Sequence, residues 1–297
     1  MSAGRIILID KPAGPSSHDV VARARRVLRE RRIGHTGTLD PFASGLLVIC
    51  VGPVTRLAEY LTGMTKSYEA TLRLGVSTDT LDPEGEVIAE STLDGLSDDG
   101  IRAAFATQLG QIDQLPPIFS AKKLGGERAY EKARRGESVE LKRVPVIISR
   151  MEIDQIAIPD VRFSMTCSTG TYVRSVGRDV GEALGTGGHL TALRRTLVGD
   201  FRVEDAISLG ELEQIGDLWA GAHPAVLTPL QALGHLPTQE LEAEDHVHLA
   251  HGRAVPWNGA DAEVALVHRS GQLLSVGRAE EGQFKPRKVF TTPEDLT

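Results

Sequence analysis

Apolar and polar residues alternate most regularly between residues 67 and 76, where every second side chain is apolar and Tyr68 belongs to the apolar set. A period of two predicts a strand with one buried face and one polar face. A second alternation of this kind covers residues 161–167. Two uninterrupted apolar runs, residues 6–9 and 46–51, predict short buried strands.

Three other stretches repeat their apolar residues every three or four positions, which predicts helices over residues 17–30, 97–109 and 172–184. The first of these begins at a pair of serines, and serine is a good helix N-cap. Residues 33–45 and 115–136 are rich in glycine, proline and polar side chains, so we predict that they are loops.

The length of 297 residues suggests two domains. After about Pro237, short apolar strands alternate with glycine and proline turns. This pattern predicts a small β-rich second domain over residues 237–297. The first domain then covers residues 1–236.

Hydropathy and cysteine content indicate in which cellular compartment the protein is expected. The longest apolar run has six residues, whereas a transmembrane helix needs about 20. The apolar run near the N-terminus is likewise shorter than the roughly 7–15 residues of a secretory signal. Cys50 and Cys167 lie in apolar segments, and buried thiols fit a reducing compartment. We therefore expect a cytoplasmic protein with no membrane segment.

Charge is unevenly distributed along the chain. The net charge is −7, but the residues from 203 onward carry −9 and the first 202 residues carry +2. Residues 23–32 contain six arginines and one glutamate, and residues 122–150 contain nine basic and four acidic residues. A local positive face can bind a polyanion whatever the net charge. The alternative is that these side chains form ordinary solvated faces.

Residues 34–41 place His35 and Asp40 where the backbone must turn, and loops held by a rigid sheet often carry catalytic groups. Alternatives exist for both: Asp40 before Pro41 is also a common helix start, and a lone histidine is often structural. Arg174 lies about one turn into a predicted helix. Its guanidinium can bind a carboxylate there or remain at the surface.

Four motifs, taken in their order along the chain, together distinguish this sequence from an ordinary globular domain. They are Asp-Lys-Pro-x-Gly-x-x-Ser at 10–17, Gly-His-Thr-Gly-Thr-Leu-Asp-Pro at 34–41, Lys-Ser-Tyr at 66–68 and Cys-Ser-x-Gly-Thr-Tyr-x-Arg at 167–174. In this order and spacing the chain resembles the bacterial tRNA pseudouridine-55 synthases, the TruB family. The similarity runs from about residue 5 to residue 205. A weaker likeness to the PUA-like C-terminal domain of that family begins beyond about residue 240.

The resemblance implies an α+β protein with the pseudouridine synthase fold, in which helices flank a mixed, largely antiparallel central sheet. Residues 1–236 are then the catalytic domain and residues 237–297 a PUA-like domain. The implied activity is isomerisation of uridine 55 in the tRNA T-loop: the base is flipped out, cut from the sugar, rotated and rejoined through C5. No cofactor and no metal are implied.

Three residues match catalytic positions of the family. Asp40 matches the nucleophilic aspartate, and whether it attacks the base or the sugar stays open. Arg174 matches the arginine that keeps this aspartate ionised and aimed. Tyr68 matches a tyrosine whose ring stacks on the extruded base and whose hydroxyl takes the C5 proton.

Other matches concern substrate binding. His35, Tyr172 and Leu193 match positions that line the uridine site together with Tyr68. Lys11 and Asp79 lie in family motifs, and we expect supporting roles for them.

Residues 115–140 match the RNA-binding insertion of the family, and its basic side chains are expected to contact phosphates. We assign this role to Lys122, Lys123, Arg134 and Arg135. The insertion favours an enzyme that binds the tRNA T-arm alone, without a guide RNA or an obligate protein partner. Two alternatives are an RNA-folding protein without catalysis and an enzyme of the same fold acting on another RNA.

Overall fold

The computed structural model describes residues 4–119, 141–214, 223–268 and 270–292, and the backbone of two short strands between the first two ranges. Its helices are α1 (Ser17–Leu28), α2 (Ala58–Thr62), α3 (Asp98–Ala106), α4 (Val173–Ala183), α5 (Leu209–Gln214), α6 (Pro229–Ala232) and α7 (His246–Ala250). Its strands are β1 (Arg5–Lys11), β2 (Ile33–His35), β3 (Ser44–Val51), β4 (Lys66–Leu74), β5 (Val76–Thr78), β6 (Val87–Glu90), β7 (Gly110–Gln114), β8 (Lys123–Leu124), β9 (Glu127–Arg128), β10 (Val144–Ala157), β11 (Asp160–Cys167), β12 (Gly188–Val198), β13 (Phe201–Arg202), β14 (Ile207–Ser208), β15 (Val226–Leu227), β16 (Thr238–Glu240), β17 (Val255–Pro256), β18 (Ala262–Val267), β19 (Leu273–Glu280) and β20 (Gln283–Val289).

The central sheet has the order β14-β1-β3-β12-β4-β11-β10-β7, with β2, β13 and β15 paired to its members. The β1–β14 and β3–β12 pairs are parallel. The remaining neighbours in this order run antiparallel, so the predicted mixed and largely antiparallel sheet is confirmed. Strand β4, which carries Tyr68, lies between β12 and β11 near the middle of the sheet.

The two alternating segments form neighbouring strands. In β4, Tyr68, Ala70, Leu72 and Leu74 are buried, and the residues between them are partly or fully exposed. Gly75 takes a left-handed φ of 85°, so the strand ends there and does not continue to residue 76 as the alternation predicts.

Helix α1 begins at Ser16, whose side chain accepts a hydrogen bond from the Asp19 N–H while the Asp19 carboxylate accepts one from the Ser16 N–H. This capping box satisfies two N–H groups at the start of the helix. The helix ends at Leu28, because Arg29 adopts a left-handed φ of 51°. The predicted helix is confirmed and is two residues shorter.

The segment 33–45 differs from the predicted loop at its start. Residues Ile33–His35 pair with β3 as an edge strand, with Ile33 buried in the core. Pro41 and Phe42 form a turn that leads into β3, and the Ala43 N–H bonds the Asp40 carbonyl at 3.1 Å. The helix-start interpretation of Asp40 is therefore wrong, which leaves its carboxylate available for another partner.

A second sheet, in the order β16-β18-β19-β20-β17, forms the C-terminal β-rich part. Val264, Leu266 and Phe284 belong to a small core of its own, whereas Leu273 and Val276 pack into the large core. The domain boundary between residues 236 and 237 stays a prediction. Cys50 and Cys167 are buried free thiols, and among the described residues no helix is long and apolar enough to cross a bilayer.

Candidate active site

A pocket of about 520 Å³ opens where the loop before β3, the turn after β5 and the start of α4 meet. Six of the residues identified from the sequence line it together: His35, Asp40, Tyr68, Tyr172, Arg174 and Leu193. They come from distant parts of the chain, so the fold brings them to one place. The volume lies within the range that small-molecule sites usually have.

Asp40 and Arg174 form a bidentate ion pair. Arg174 Nε lies 2.9 Å from Asp40 Oδ2, and Nη2 donates to Oδ1 at 3.2 Å. The Arg174 side chain is 5% exposed and that of Asp40 is 33% exposed. The arginine therefore lies beneath the carboxylate, and the carboxylate faces the pocket.

The remaining N–H groups of Arg174 are also used. Nη1 donates to the Thr80 carbonyl at 2.7 Å and to Asp82 Oδ2 at 3.1 Å, and Nη2 donates to the Phe119 carbonyl at 2.9 Å. A guanidinium has five N–H donors, and each has an acceptor here. Because every donor is engaged, the guanidinium is fixed in position and fixes Asp40.

Burial raises the pKa of Asp40 above that of an ordinary aspartate. The neighbouring Arg174 and Lys11 charges lower this pKa, and the Asp82 carboxylate raises it. The net shift of the Asp40 pKa is upward because desolvation is the largest of these effects. The geometry is nevertheless that of a carboxylate, with both oxygens accepting from one guanidinium.

Tyr68 enters the pocket from β4 and is 9% exposed. Its partner across the strand pair is Arg195 on β12, whose positive charge acts on the phenol. Burial raises the pKa of Tyr68, and Arg195 opposes that shift. The phenol therefore carries its proton at neutral pH.

Arg195 also holds the chain that precedes Asp40. Its Nε donates to the Leu46 carbonyl at 2.7 Å and its Nη2 to the Gly37 carbonyl at 3.0 Å. Gly45, with φ of 102°, lets β3 and β12 approach: a Cβ at this position would lie 2.3 Å from the Arg195 carbonyl oxygen. A buried arginine and a required glycine thus fix one side of the Asp40 loop.

The other side of the loop is fixed by residues of the first motif. Ser17 Oγ accepts from the Leu39 N–H at 2.8 Å and lies 2.9 Å from the Leu39 carbonyl. Lys11 is fully buried and donates to the carbonyls of Pro12, Pro15 and Pro41. Burial lowers the pKa of Lys11 to about 8. The supporting role expected for Lys11 stays a prediction.

The other sequence-identified residues lie as follows. The His35 ring packs edge-on against His18, with centroids 5.6 Å apart. Leu193 is 7% exposed on β12. Asp79 lies in the turn after β5, where its carboxylate accepts from the Glu86 N–H at 2.9 Å, and it does not line the pocket. The side chains of Lys122, Lys123, Arg134 and Arg135 are outside the described residues.

Sequence reasoning missed several polar residues that build the site. Asp82 binds Arg174, Arg195 binds the Asp40 loop, and the buried Gln114 clamps Tyr172 by accepting from its N–H and donating to its carbonyl. The only local signal for Asp82 is its place in a turn of Asp, Pro and Gly, which any surface turn shares. Arg195 and Gln114 carry no local signal at all.

The pocket joins a fixed carboxylate to an aromatic ring and to apolar side chains that include Leu193 and Phe119. Such a site can hold a planar ring next to a nucleophile and can stabilise charge through Arg174. Within the described ranges no three His, Cys, Asp or Glu side chains are placed to share a metal ion.

Two models of known protein families match this chain. A family model described as "TruB family pseudouridylate synthase (N terminal domain)" matches residues 25–173. A second, described as "tRNA pseudouridylate synthase B C-terminal domain", matches residues 174–233. The boundary between the two matches falls at Arg174.

Similar proteins include two named "tRNA pseudouridine synthase B". That of Thermobifida fusca is 42% identical over 297 residues, covering 97% of this chain and 99% of that protein. That of Mycobacterium sp. strain KMS is 42% identical over 290 residues, covering 96% and 95%. A similar solved structure is a chain of a Cbf5-Nop10-Gar1 complex, with a TM-score of 0.76, 27% identity and coverage of 98% of this chain and 86% of that one.

Both family models describe pseudouridylate synthases, which are isomerases. The chain belongs to the TruB family of these enzymes.

Proposed function

We propose that this protein is a tRNA pseudouridine synthase that converts uridine 55 of the T-loop to pseudouridine, with Asp40 as the nucleophile. The observation that carries the proposal is the Asp40–Arg174 pair, which turns a fixed carboxylate toward a pocket lined by Tyr68. The printed names of the relatives support tRNA as the substrate.

A uridine in a folded RNA must leave its stack to enter a pocket of this shape. His35, Tyr172 and Leu193 are proposed to hold the flipped nucleotide, with the base on the Tyr68 ring. Asp40 then attacks the uridine, at either the base or the sugar. Arg174 needs no rearrangement at that point because its donors are already fixed.

The reaction is balanced without a co-reactant because uridine and pseudouridine are isomers. The N1–C1′ bond breaks, the base rotates, the C5–C1′ bond forms and Asp40 leaves. The C5 proton is then lost and N1 gains a proton. We assign acceptance of the C5 proton to the Tyr68 hydroxyl oxygen, which releases its own proton to solvent because burial keeps the phenol protonated, and N1 takes up a proton from solvent.

The enzyme is proposed to act on the T-arm of tRNA by itself, without a cofactor, guide RNA or obligate protein partner. The basic residues Lys122, Lys123, Arg134 and Arg135 are proposed to contact RNA phosphates. Asp79 is proposed to support the site through its turn, which also contains Asp82.

The test is incubation with an unmodified T-arm transcript, followed by mapping of pseudouridine. Wild type should modify uridine 55, and a transcript with cytidine at that position should remain unmodified. Asp40→Asn should bind the transcript but lose turnover by at least about a thousandfold, since the amide cannot act as the nucleophile. Pseudouridine at other positions only would favour an enzyme for another RNA, and tight binding without product would favour an RNA-folding protein.

A further inference from the structure

The basic stretch 23–32 is not used by the active site. Arg23 faces Glu213 at 3.6 Å, and Arg25 donates to the Ile33 carbonyl at 2.8 Å. The four others, Arg26, Arg29, Arg31 and Arg32, are exposed, and no carboxylate of the described residues pairs with their guanidinium groups. Like charges this close repel one another in the folded state, so these four guanidinium groups do not stabilise the fold through ion pairs.

The one acidic residue of the stretch, Glu30, offsets one of its six positive charges. Its carboxylate accepts from the Arg32 N–H at 2.7 Å, and among the described residues it forms no ion pair with a guanidinium of the stretch. Arg29 lies at the left-handed position that ends α1, with φ of 51°, where glycine or asparagine is the usual residue. The backbone conformation at this position favours a smaller residue, so it does not explain why an arginine is present.

Arg32 extends the cluster into a second cleft, a space of about 750 Å³ between the start of β1 and the C-terminal sheet. Arg5, Arg32 and Arg56 line this cleft, and among the described residues that line it none is acidic. Arg56 is held in place: its guanidinium lies 5.2 Å from the Phe290 ring centroid and Nη1 donates to the Val289 carbonyl at 2.9 Å. The cleft is thus positive in a chain of net charge −7.

Helix α1 connects this region to the active site. Ser16 and His18, at the start of the helix, line the pocket, and Arg29 follows its last turn. The 12 helical residues span about 18 Å. An RNA with one nucleotide in the pocket therefore has neighbouring phosphates within reach of the far end of α1.

We propose that Arg26, Arg29, Arg31, Arg32 and Arg56, here called the arginine surface, bind phosphates of the RNA whose uridine occupies the pocket. This inference rests on the proposed function and adds a second contact region to it. Arginine suits the role because its planar fork binds phosphate oxygens in pairs. The surface carries no base-reading chemistry, so it orients the RNA without selecting its sequence.

The experiment measures the dissociation constant of the unmodified transcript between about 50 and 200 mM salt for three proteins. The test variant replaces Arg26, Arg29, Arg31 and Arg32 by glutamine. The control variant makes the same change at four exposed arginines that are already paired with carboxylates and lie outside both basic stretches: Arg73, Arg202, Arg278 and Arg287. Both variants lose four positive charges, so only the location of the charge differs.

We expect the test variant to bind at least about tenfold more weakly at low salt and to lose at least about one unit of log–log salt slope. The control variant should keep the wild-type slope, and a variant with four lysines in place of the same arginines should retain most of it. Turnover at saturating RNA should be unchanged, since none of the four lines the pocket. Equal slopes for test and control variants would overturn the inference.

The two proposals fail in different ways. If wild type forms no pseudouridine in the transcript, the proposed function fails whatever the slopes are. If wild type is active and the test variant matches the control, only the arginine surface is rejected. Matching thermal unfolding temperatures for the variants exclude a folding defect, because the side chains of Arg26, Arg29, Arg31 and Arg32 have no partners within the described residues.

Discussion

At the scale of single residues, the site is built around the Arg174 guanidinium, in which every N–H donor has an acceptor. Arg174 gives two hydrogen bonds to Asp40, one to Asp82 and one each to the carbonyls of Thr80 and Phe119. Asp40 is therefore held in its orientation only when helix α4, the turn at residues 80–82 and Phe119 are all in place around it. This explains how a partly exposed carboxylate keeps one orientation at the mouth of an open pocket.

Removing the Asp82 charge tests the electrostatic part of this arrangement. The pKa of Asp40 is raised, so turnover should fall on the acid side at a pH above the ordinary aspartate value of about 3.9. Asp82 is one cause of that rise. Asp82→Asn should therefore move the acid limb of kcat/KM to lower pH, while the maximal rate falls because one acceptor of the network is weakened.

The measurement is a pH–rate profile of both proteins on the same transcript. Asp79→Asn is the matched control, because Asp79 lies in the same turn but does not touch Arg174. An acid limb that stays at the wild-type pH in Asp82→Asn would show that Asp82 does not act on the Asp40 charge.

Tyr68→Phe separates stacking from proton transfer, since phenylalanine keeps the ring and loses the hydroxyl. RNA binding should persist within about threefold, and the reaction should stall after the glycosidic bond is cut. The readout is product formation against consumption of uridine in single-turnover experiments. A rate close to that of wild type would leave Tyr68 with stacking alone.

At the scale of elements, periodicity predicted strands β4 and β11 and helix α1, although residues 33–35 form a strand where a loop was predicted. The motif resemblance selected six residues that line one pocket. The alternations at 67–76 and 161–167 identified β4 and β11, because each strand has one face in the core. Nothing local could show that β4 lies between β12 and β11, since the partners are far apart in sequence. Asp82 was missed for the same reason: its partner Arg174 is 92 residues away.

Gly45 shows how one such long-range approach constrains an element. It has a left-handed φ, and a side chain would meet the backbone of Arg195. Gly45→Ala should lower the free energy of unfolding by about 2–4 kcal/mol and also reduce turnover, because Arg195 holds the Asp40 loop.

Gly95→Ala is the matched control in a thermal or denaturant unfolding series. Gly95 has a similar φ of 81° with no atom near a new Cβ, so only the backbone cost of about 1–2 kcal/mol applies. Equal destabilisation by the two substitutions would contradict a role for the close approach of β3 to β12.

At the scale of the whole molecule, charge separates the chain into two regions. The residues from 203 onward carry −9 and the first 202 carry +2, so an RNA is attracted only by local positive faces. Sequence alone located two basic stretches. For residues 23–32 the structure adds that four arginines are unpaired within the described residues and that one of them, Arg32, lines a cleft together with Arg5 and Arg56. The distance of such a face from the active site follows only from the fold.

The second basic stretch, residues 122–150, has nine basic and four acidic residues, and it gives the last prediction. Neutralising Lys122, Lys123, Arg134 and Arg135 should weaken tRNA binding and flatten its salt dependence, by up to about one unit of slope for each phosphate that is no longer neutralised. Turnover at saturating tRNA should change less than affinity, because none of the four matches a catalytic position. The measurement is the affinity for tRNA against salt concentration, and the control is the variant in which the four paired arginines are replaced by glutamine. A slope equal to that of wild type would mean that this stretch is a solvated face, and RNA attraction would then have to come from the arginine surface.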